Sequence, residues 1–241
     1  MTSSPGSRTT SRLTGLAYLG LAITGVVGFM LIRQQLYVPG DATATAANLL
    51  EKEGLARLGI AVDLAAVLTQ ALAALWFFRL FRVVDSFAAG ALAVFGMVNA
   101  VVILVATAFS ATALGLVVAD GAADGSQAAT AQVLYDLNAT TWSVGGLFFG
   151  LWLIPMGWLA WRSAMPRLLG WALVVGGASY VLSTFVTYLA PALDWSTAVL
   201  TIPATIGELW MVGYLLVAPR RGLPVATVEA ARVAVPVRTG R

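Results

Sequence analysis

Two acidic residues, Asp63 and Glu208, lie inside long apolar stretches that contain no lysine, arginine or histidine. If these stretches cross a membrane, each carboxylate costs a few kcal/mol or more unless it is protonated, hydrated or paired. Such a carboxyl group can bind a proton, a cation or a small polar or amine solute; the structural alternative is a protonated carboxyl that donates to a neighbouring helix. Arg57 is close to Asp63 in sequence but does not share its helix face. We therefore expect no cation beside either acid.

Other polar residues of the apolar stretches have positions that bring them near the two acids. Thr197, Thr201, Thr205 and Glu208 follow the spacing of one helix face. At a rise of about 1.5 Å per residue, polar groups of four stretches should lie at similar depth, roughly 8–20 Å below the outer surface. We hypothesise one ligand or ion pocket, although such residues also tie helices together. The pocket residues are Asp63, Gln70, Asn99, Tyr180, Thr201, Thr205 and Glu208, with Arg57, Asp136, Asn138 and Ser143 at the mouth.

The composition excludes several kinds of chemistry. The chain has no cysteine and no histidine, which excludes disulfides, thiolate nucleophiles, thiolate or imidazole metal sites and haem held by the usual side chains. No phosphate-binding glycine loop is present, and no nucleophile has a plausible base beside it. We therefore expect no enzymatic activity, no catalytic residues, no metal and no cofactor.

The hydrophobic content indicates an integral membrane protein. Hydrophobic residues make up 59% of the chain and charged residues 10%, whereas a soluble domain is about half apolar and about a quarter charged. Six apolar stretches reach the roughly 20 residues that a membrane helix needs, and helices satisfy their own backbone in lipid. We predict an all-α bundle of six transmembrane helices over residues 13–217, after an N-terminal tail at 1–12 and before a basic, disordered tail at 218–241. The spans are 13–32, 58–78, 87–113, 139–161, 168–189 and 197–217.

The basic residues predict the orientation of this bundle. Six crossings place all of them except Arg33, Lys52 and Arg57 on one side, and basic loops favour the cytoplasm. Both termini are therefore predicted to be cytoplasmic. This distribution accounts for the net charge of +3 without a nucleic-acid partner. The expected partner is the lipid bilayer, with anionic headgroups as a candidate contact of the basic tail; the oligomeric state is left open.

Three local patterns add detail. Asp41 is expected to cap a short outer helix at 42–53, which is either a lid over the bundle mouth or an interfacial connector. Gly146 and Gly150 form a close-approach motif for packing within the bundle or for dimerisation. Pro203 should kink the helix before Glu208, as in transporters, although proline also occurs in ordinary spans.

Four blocks of sequence, in this order, resemble a known family. They are VPGD at 38–41 with TAANLL at 45–50, RLGIAVDL at 57–64, GLFFGL at 146–151 and MPRLLG at 165–170. They resemble the bacterial membrane family known as domain of unknown function 4386. The resemblance implies a six-helix, multi-pass protein of the bacterial inner membrane, without an assigned activity. Where that family often has Asp-Leu-His, this chain has Asp136, Leu137 and Asn138, which removes a titratable imidazole.

Three function classes follow from these patterns, and an intramembrane enzyme is the least favoured because the chain has no histidine and no cysteine. The favoured one is a non-catalytic accessory or sensory membrane protein with a buried polar pocket around Asp63 and Glu208. The alternative is a small transporter or permeation protein for a proton, a cation or a small polar or amine solute. Against the alternative, the two halves show no clear inverted repeat, which secondary transporters commonly have.

Overall fold

A computed structural model describes residues 5–120, 125–163 and 165–217. These residues are almost entirely helical and contain no strand, so the predicted all-α fold is confirmed for the part of the chain that is described. The predicted tail at 218–241 lies outside the described residues. In chain order the helices are α1 (Pro5–Gly25), a π-helix (Val26–Ile32), α2 (Arg33–Leu36), α3 (Ala42–Glu51), α4 (Glu53–Phe81), α5 (Ser86–Asp120), α6 (Gly125–Arg162), α7 (Arg167–Leu189), a 3₁₀ turn (Pro191–Ser196) and α8 (Thr197–Val217).

Six helices in the described residues are long and apolar enough to cross a membrane, as predicted. Most of them extend beyond the apolar stretches, because backbone hydrogen bonding continues past the last apolar residue. Residues 5–12, assigned to an N-terminal tail, already belong to α1. The spans are Thr9–Leu36, Glu53–Phe81, Ser86–Ala119, Gly125–Arg162, Arg167–Leu189 and Thr197–Val217.

A π-helical segment interrupts the first span. It runs from Val26 to Ile32, and at its end the Arg33 N–H donates to the carbonyl of Gly28, five residues earlier. Each π-helical turn holds more residues than an α-helical turn, and such segments are rare and often lie at functional sites. The residues that follow therefore face a different direction from the one that an unbroken α-helix would give them.

The chain divides into two compact units. The first, here called the Asp63 unit, comprises Leu19–Ala71 and Met97–Gly146. The second, the Glu208 unit, comprises Met1–Tyr18, Leu72–Gly96 and Leu147–Arg241.

In the Glu208 unit, α6 and α7 pack backbone against backbone. A Cβ added at Gly150 would lie 2.7 Å from the Gly177 carbonyl oxygen, and one at Gly157 would lie 2.6 Å from that of Gly170. Small residues permit such approach between membrane helices. In this unit, the glycines of α6 that face α7 are thus Gly150 and Gly157, two helical turns apart. The sequence motif instead paired Gly150 with Gly146, which belongs to the Asp63 unit.

In the Asp63 unit, α3 packs tightly against the neighbouring helices. The Asp41 carboxylate accepts a hydrogen bond from the Ala44 N–H at 2.8 Å and caps the helix. Leu49 is 0% exposed and lies in a core cluster with Leu36 and Tyr135. The apolar face of α3 is therefore buried against other helices of the protein and does not face lipid. A lid over the helix ends would be packed in this way.

Polar side chains of α3 hold the end of the first span. The Thr45 hydroxyl accepts from the Val38 N–H at 3.1 Å, and the Asn48 amide donates to the Leu36 carbonyl at 3.4 Å. Lys52, just after α3, donates to the Gln35 carbonyl at 3.0 Å. The bonds to Leu36 and Gln35 satisfy carbonyl groups that a helix end leaves without partners, and the bond to Thr45 satisfies the Val38 N–H.

Candidate functional site

The Asp63 unit contains a pocket between the first span and helices α4, α5 and α6. Its cavity volume is about 30 Å³, and the pocket is partly open to the exterior. Charged, polar and aromatic side chains line it together with apolar ones. The lining residues are Gly28, Phe29, Ile32, Arg33, Leu36, Ala56, Gly59, Ile60, Asp63, Ser110, Tyr135, Asn138 and Trp142.

Asp63 reaches this pocket from the face of α4 that also carries Ala56 and Gly59. This spacing of three, four and seven residues keeps the side chains on one side of the helix. Gly28 leaves room for the carboxylate, because a Cβ at this position would lie 2.9 Å from Asp63 Oδ1. Within the described residues, Asp63 makes no hydrogen bond or ion pair, so its oxygen atoms remain available to the pocket.

Arg33 lines the same pocket, and the expectation that no cation lies near Asp63 is therefore wrong. The guanidinium carbon lies 5.5 Å from the Phe29 ring centroid and 5.7 Å from that of Tyr37. Its Nη1 atom is buried without a hydrogen-bond partner among the described residues. Arg33 and Asp63 attract each other electrostatically but form no direct ion pair in the described part of the chain.

Asn138 and Ser110 form the polar wall on α6 and α5. The Asn138 amide donates to the Ala106 carbonyl at 2.7 Å and to Ser110 Oγ at 2.8 Å. Both amide hydrogens are thus used, and the amide oxygen and the Ser110 hydroxyl hydrogen are the groups left for other partners. Asn138 was assigned to the pocket mouth from the sequence, and here it is 3% exposed.

A second polar cluster lies beside the pocket, where the first span ends. Tyr37 Oη donates to Asp136 Oδ1 at 2.6 Å, and Gln132 donates to the same oxygen at 3.2 Å. The Tyr37 ring stacks on Tyr135, with centroids 5.7 Å apart. Burial, together with the hydrogen bond to Asp136 and its charge, raises the pKa of Tyr37 to about 12. Asp136, which was also predicted at the pocket mouth, therefore holds the Tyr37 ring against Tyr135, a residue that lines the pocket.

Four other predicted residues of this unit do not line the pocket. Arg57 forms an ion pair with Glu53 at 2.7 Å, and its side chain is 63% exposed. Ser143 is half-buried on α6 but lies outside the lining. The Asn99 amide donates to Gln70 Oε1 at 3.2 Å, and both side chains are buried. The Gln70–Asn99 pair thus ties α4 to α5, which is the packing role that the sequence left open for such groups.

Glu208 has different surroundings in its own unit. Tyr18 Oη donates to Glu208 Oε1 at 2.5 Å, and Tyr18 is 1% exposed. The edges of two further buried rings meet Tyr18, with centroid distances of 5.3 Å to Phe77 and 5.5 Å to Trp152. This carboxyl group is therefore held by a hydroxyl donor that is itself enclosed by aromatic rings.

The threonines of α8 use their hydroxyls within their own helix. Thr201 donates to the Ala198 carbonyl at 2.9 Å and Thr205 to the Thr201 carbonyl at 3.3 Å. Thr205 is also exposed on the helix surface. Helical spacing indicated a shared face, but hydroxyls of this kind commonly bond to a carbonyl three or four residues back. Tyr180 packs on Phe149 at 5.1 Å and interacts electrostatically with Glu208.

The predicted pocket residues are divided between the two units. Asp63, Gln70 and Asn99 belong to the Asp63 unit, whereas Tyr180, Thr201, Thr205 and Glu208 belong to the Glu208 unit. A single pocket shared by Asp63 and Glu208 stays a prediction. Two important residues were missed: Tyr18, an aromatic residue in an apolar stretch, and Arg33, whose direction depends on the π-helix.

These observations define an all-helical, multi-pass membrane protein with a polar pocket among its helices. No cluster of three or more metal-ligating side chains occurs in the described residues. The family model described as a domain of unknown function, DUF4386, matches residues 13–218. The chain belongs to this family. No curated protein and no solved structure matches the chain.

Proposed function

We propose that this protein is a non-catalytic accessory or sensory membrane protein that binds a small polar solute in the Asp63 pocket. One observation carries the proposal: in the part of the chain that the structure describes, Asp63 and Arg33 line the same pocket without a direct ion pair. Charges away from water are costly unless polar partners satisfy them. A bound solute would supply those partners.

The position of α3 supports a sensory role. Four residues that line the pocket, Ile32, Leu36, Ala56 and Tyr135, also belong to the core cluster that contains Ala46 and Leu49 of α3. A solute that displaces these lining residues would therefore shift the position of α3. Occupancy of the pocket would then change a surface helix that another protein can recognise.

The test is solute-dependent stability of the purified protein in lipid nanodiscs. Amino acids, amines, carboxylic acids and sugars are screened for an increase in the unfolding temperature. A solute at about 100 times its Kd stabilises by about 2.7 kcal/mol. Asp63→Asn should abolish the increase, whereas Glu53→Gln, which changes an acid on the same helix outside the pocket, should retain it. The proposal fails if no solute stabilises the wild type, or if Asp63→Asn responds equally.

Transport is the second candidate function. The observation that favours it is the π-helix in the first span, because a register irregularity beside a pocket can act as a hinge. Proteoliposomes loaded with buffer and exposed to the stabilising solute distinguish the two functions. Uptake that Asp63→Asn abolishes would establish transport, and binding without uptake would leave the sensory or accessory role.

The proposal places the pocket toward the outer side of the bacterial inner membrane, with both termini in the cytoplasm and the basic tail near anionic lipids. Its support is the distribution of basic residues. Because the chain contains no cysteine, single cysteines report orientation directly. Thr43→Cys on α3 should react with an impermeant maleimide in intact cells, and Ser86→Cys only after permeabilisation. The reverse pattern would invert the orientation.

A further inference from the structure

We infer that the occupant of the Asp63 pocket is a zwitterion, with its anionic group at Arg33 and its ammonium group at Asp63. This inference rests on the proposed function and specifies the chemistry of the solute. It is argued from the two charged residues, from the space between them and from the walls.

Within the described residues, the Arg33 Nη1 atom is buried and has no hydrogen-bond partner, and a buried polar group without a partner is uncommon in native proteins. The guanidinium group lies near the rings of Phe29 and Tyr37, which are not hydrogen-bond acceptors for Nη1. A planar guanidinium presents paired donors that match a carboxylate or a phosphate.

The Asp63 Oδ1 atom lies 2.9 Å from the position that a Cβ at Gly28 would take, and within the described residues the Asp63 carboxylate accepts no hydrogen bond. An ammonium group offers three donors to such a carboxylate. Arg33 thus has a donor without an acceptor, and Asp63 has acceptors without a donor, in the same pocket.

Possible occupants of the pocket differ in their charge. A simple cation at Asp63 would be repelled by Arg33, and a simple anion at Arg33 would be repelled by Asp63, because both charges act over the short width of one pocket. A zwitterion aligned with its charges opposite these residues gains both attractions. The Trp142 and Tyr135 rings in the wall suit an ammonium group.

Two sources can supply this chemistry. One is a free amino acid or a similar small solute. The other is the headgroup of a zwitterionic phospholipid, since Phe29 lines the pocket and is also 52% exposed on the surface of the helices. Both carry an ammonium group a few bonds from an anionic group, so the experiment contains one arm for each source.

The free-solute arm uses full-length protein in nanodiscs of phosphatidylglycerol alone. The probes are glycine, β-alanine and γ-aminobutyrate, which vary the distance between the charges, with butylamine and butyrate as half-molecules. We expect one zwitterion to bind at least about tenfold more tightly than either half-molecule. Asp63→Asn and Arg33→Gln should each weaken that binding about tenfold or more.

A glycine pair provides a test that does not change any charge. Gly28→Ala places a methyl group against Asp63 Oδ1, the movable end of a side chain, so the fold should tolerate it while the carboxylate shifts. Gly25→Ala lies three residues earlier on the same span, with nothing within 4 Å of the added Cβ. Zwitterion affinity should fall in Gly28→Ala and remain unchanged in Gly25→Ala.

The lipid arm compares discs of phosphatidylglycerol with discs that contain phosphatidylethanolamine. A gain in stability that Asp63→Asn and Arg33→Gln abolish, and that Glu53→Gln retains, supports the inference with lipid as the source. If butylamine binds as tightly as any zwitterion and only Asp63 is needed, the inference is overturned while the proposed function stands. If no probe binds and phosphatidylethanolamine gives no gain in stability, the inference is overturned. The proposed function falls with it only when the wider solute screen also finds no stabilising solute.

Discussion

Asp63 and Glu208 are both carboxyl groups inside membrane-spanning helices, yet their surroundings differ. Glu208 accepts a hydrogen bond from Tyr18, which is enclosed by Phe77 and Trp152. Asp63 faces a partly open pocket and has a guanidinium group opposite, which it does not contact directly. An acid in an apolar helix is by default a candidate site, but its nearest donor decides the role. A satisfied acid stabilises helix packing, and an unsatisfied one offers a binding group.

The two units differ in the same way in their tight contacts. Gly157 of the Glu208 unit is close to a backbone carbonyl, which cannot move without its helix. Gly28 of the Asp63 unit is close to a carboxylate at the end of a side chain. The first region is packed for rigidity, and the second has a group that can adjust to a ligand.

The largest expected difference in stability between the two units comes from substituting two tryptophans on α6. Trp152 is fully buried in the Glu208 unit, and Trp142 is a half-buried wall residue of the Asp63 pocket. Trp152→Ala should cost about 3–5 kcal/mol, because it leaves a cavity that packed rings cannot fill. Trp142→Ala should cost less than about half of this, since its side already borders open space. Unfolding in mixed micelles measures both, and equal losses would contradict the proposed difference in packing.

The hydroxyl of Tyr18 should have the next largest effect. Tyr18→Phe leaves the half-buried Glu208 carboxyl without its donor, at a cost of about 1–3 kcal/mol. Asp63→Asn should change the stability of the ligand-free protein less, since Asp63 has no hydrogen bond to lose. Adding Glu208→Leu to Tyr18→Phe should recover part of the loss, because it removes the unsatisfied group. No recovery would show that the Tyr18–Glu208 bond does not account for the destabilisation.

Much of the fold follows from the sequence, because the bilayer imposes a minimum length of apolar helix. Six such stretches therefore predict six spans. The limits shift outward, as in α6, because polar residues such as Gln132 and Asp136 continue the same helix beyond the apolar part. The cap at Asp41 is also local chemistry, readable from a short motif.

Less of the site follows from the sequence, since periodicity predicts a face but not a partner. Thr201 and Thr205 share a face with Glu208 but donate to their own helix. The first span predicted from the sequence ends at residue 32, before Arg33, whereas in the structure Arg33 follows the π-helix and lines the pocket with Asp63. No pattern in residues 26–32 distinguishes a π-helix from an α-helix. A pocket that depends on such a local change of register requires coordinates.

The smallest predicted effect concerns Tyr37, which lies just after the first span and donates to Asp136 as Tyr18 donates to Glu208. The pKa of Tyr37 is raised to about 12, first by burial and then by Asp136. The folded protein thus holds this proton more tightly than the unfolded chain does. Its contribution to stability is full below the ordinary tyrosine pKa of about 10 and declines as pH rises toward about 12.

Tyr37→Phe should remove this loss of stability at alkaline pH. The difference in tyrosinate absorbance between the wild type and Tyr37→Phe isolates the titration of Tyr37, and its midpoint should lie near pH 12. Asp136→Asn should lower that midpoint only in part, because burial of Tyr37 remains. A midpoint near 10 in the wild type would mean that Tyr37 is free in solvent. Tyr37 would then not help to hold the end of the first span beside the pocket, and Tyr18 and Glu208 would be the one tyrosine–carboxylate pair of the two that is formed.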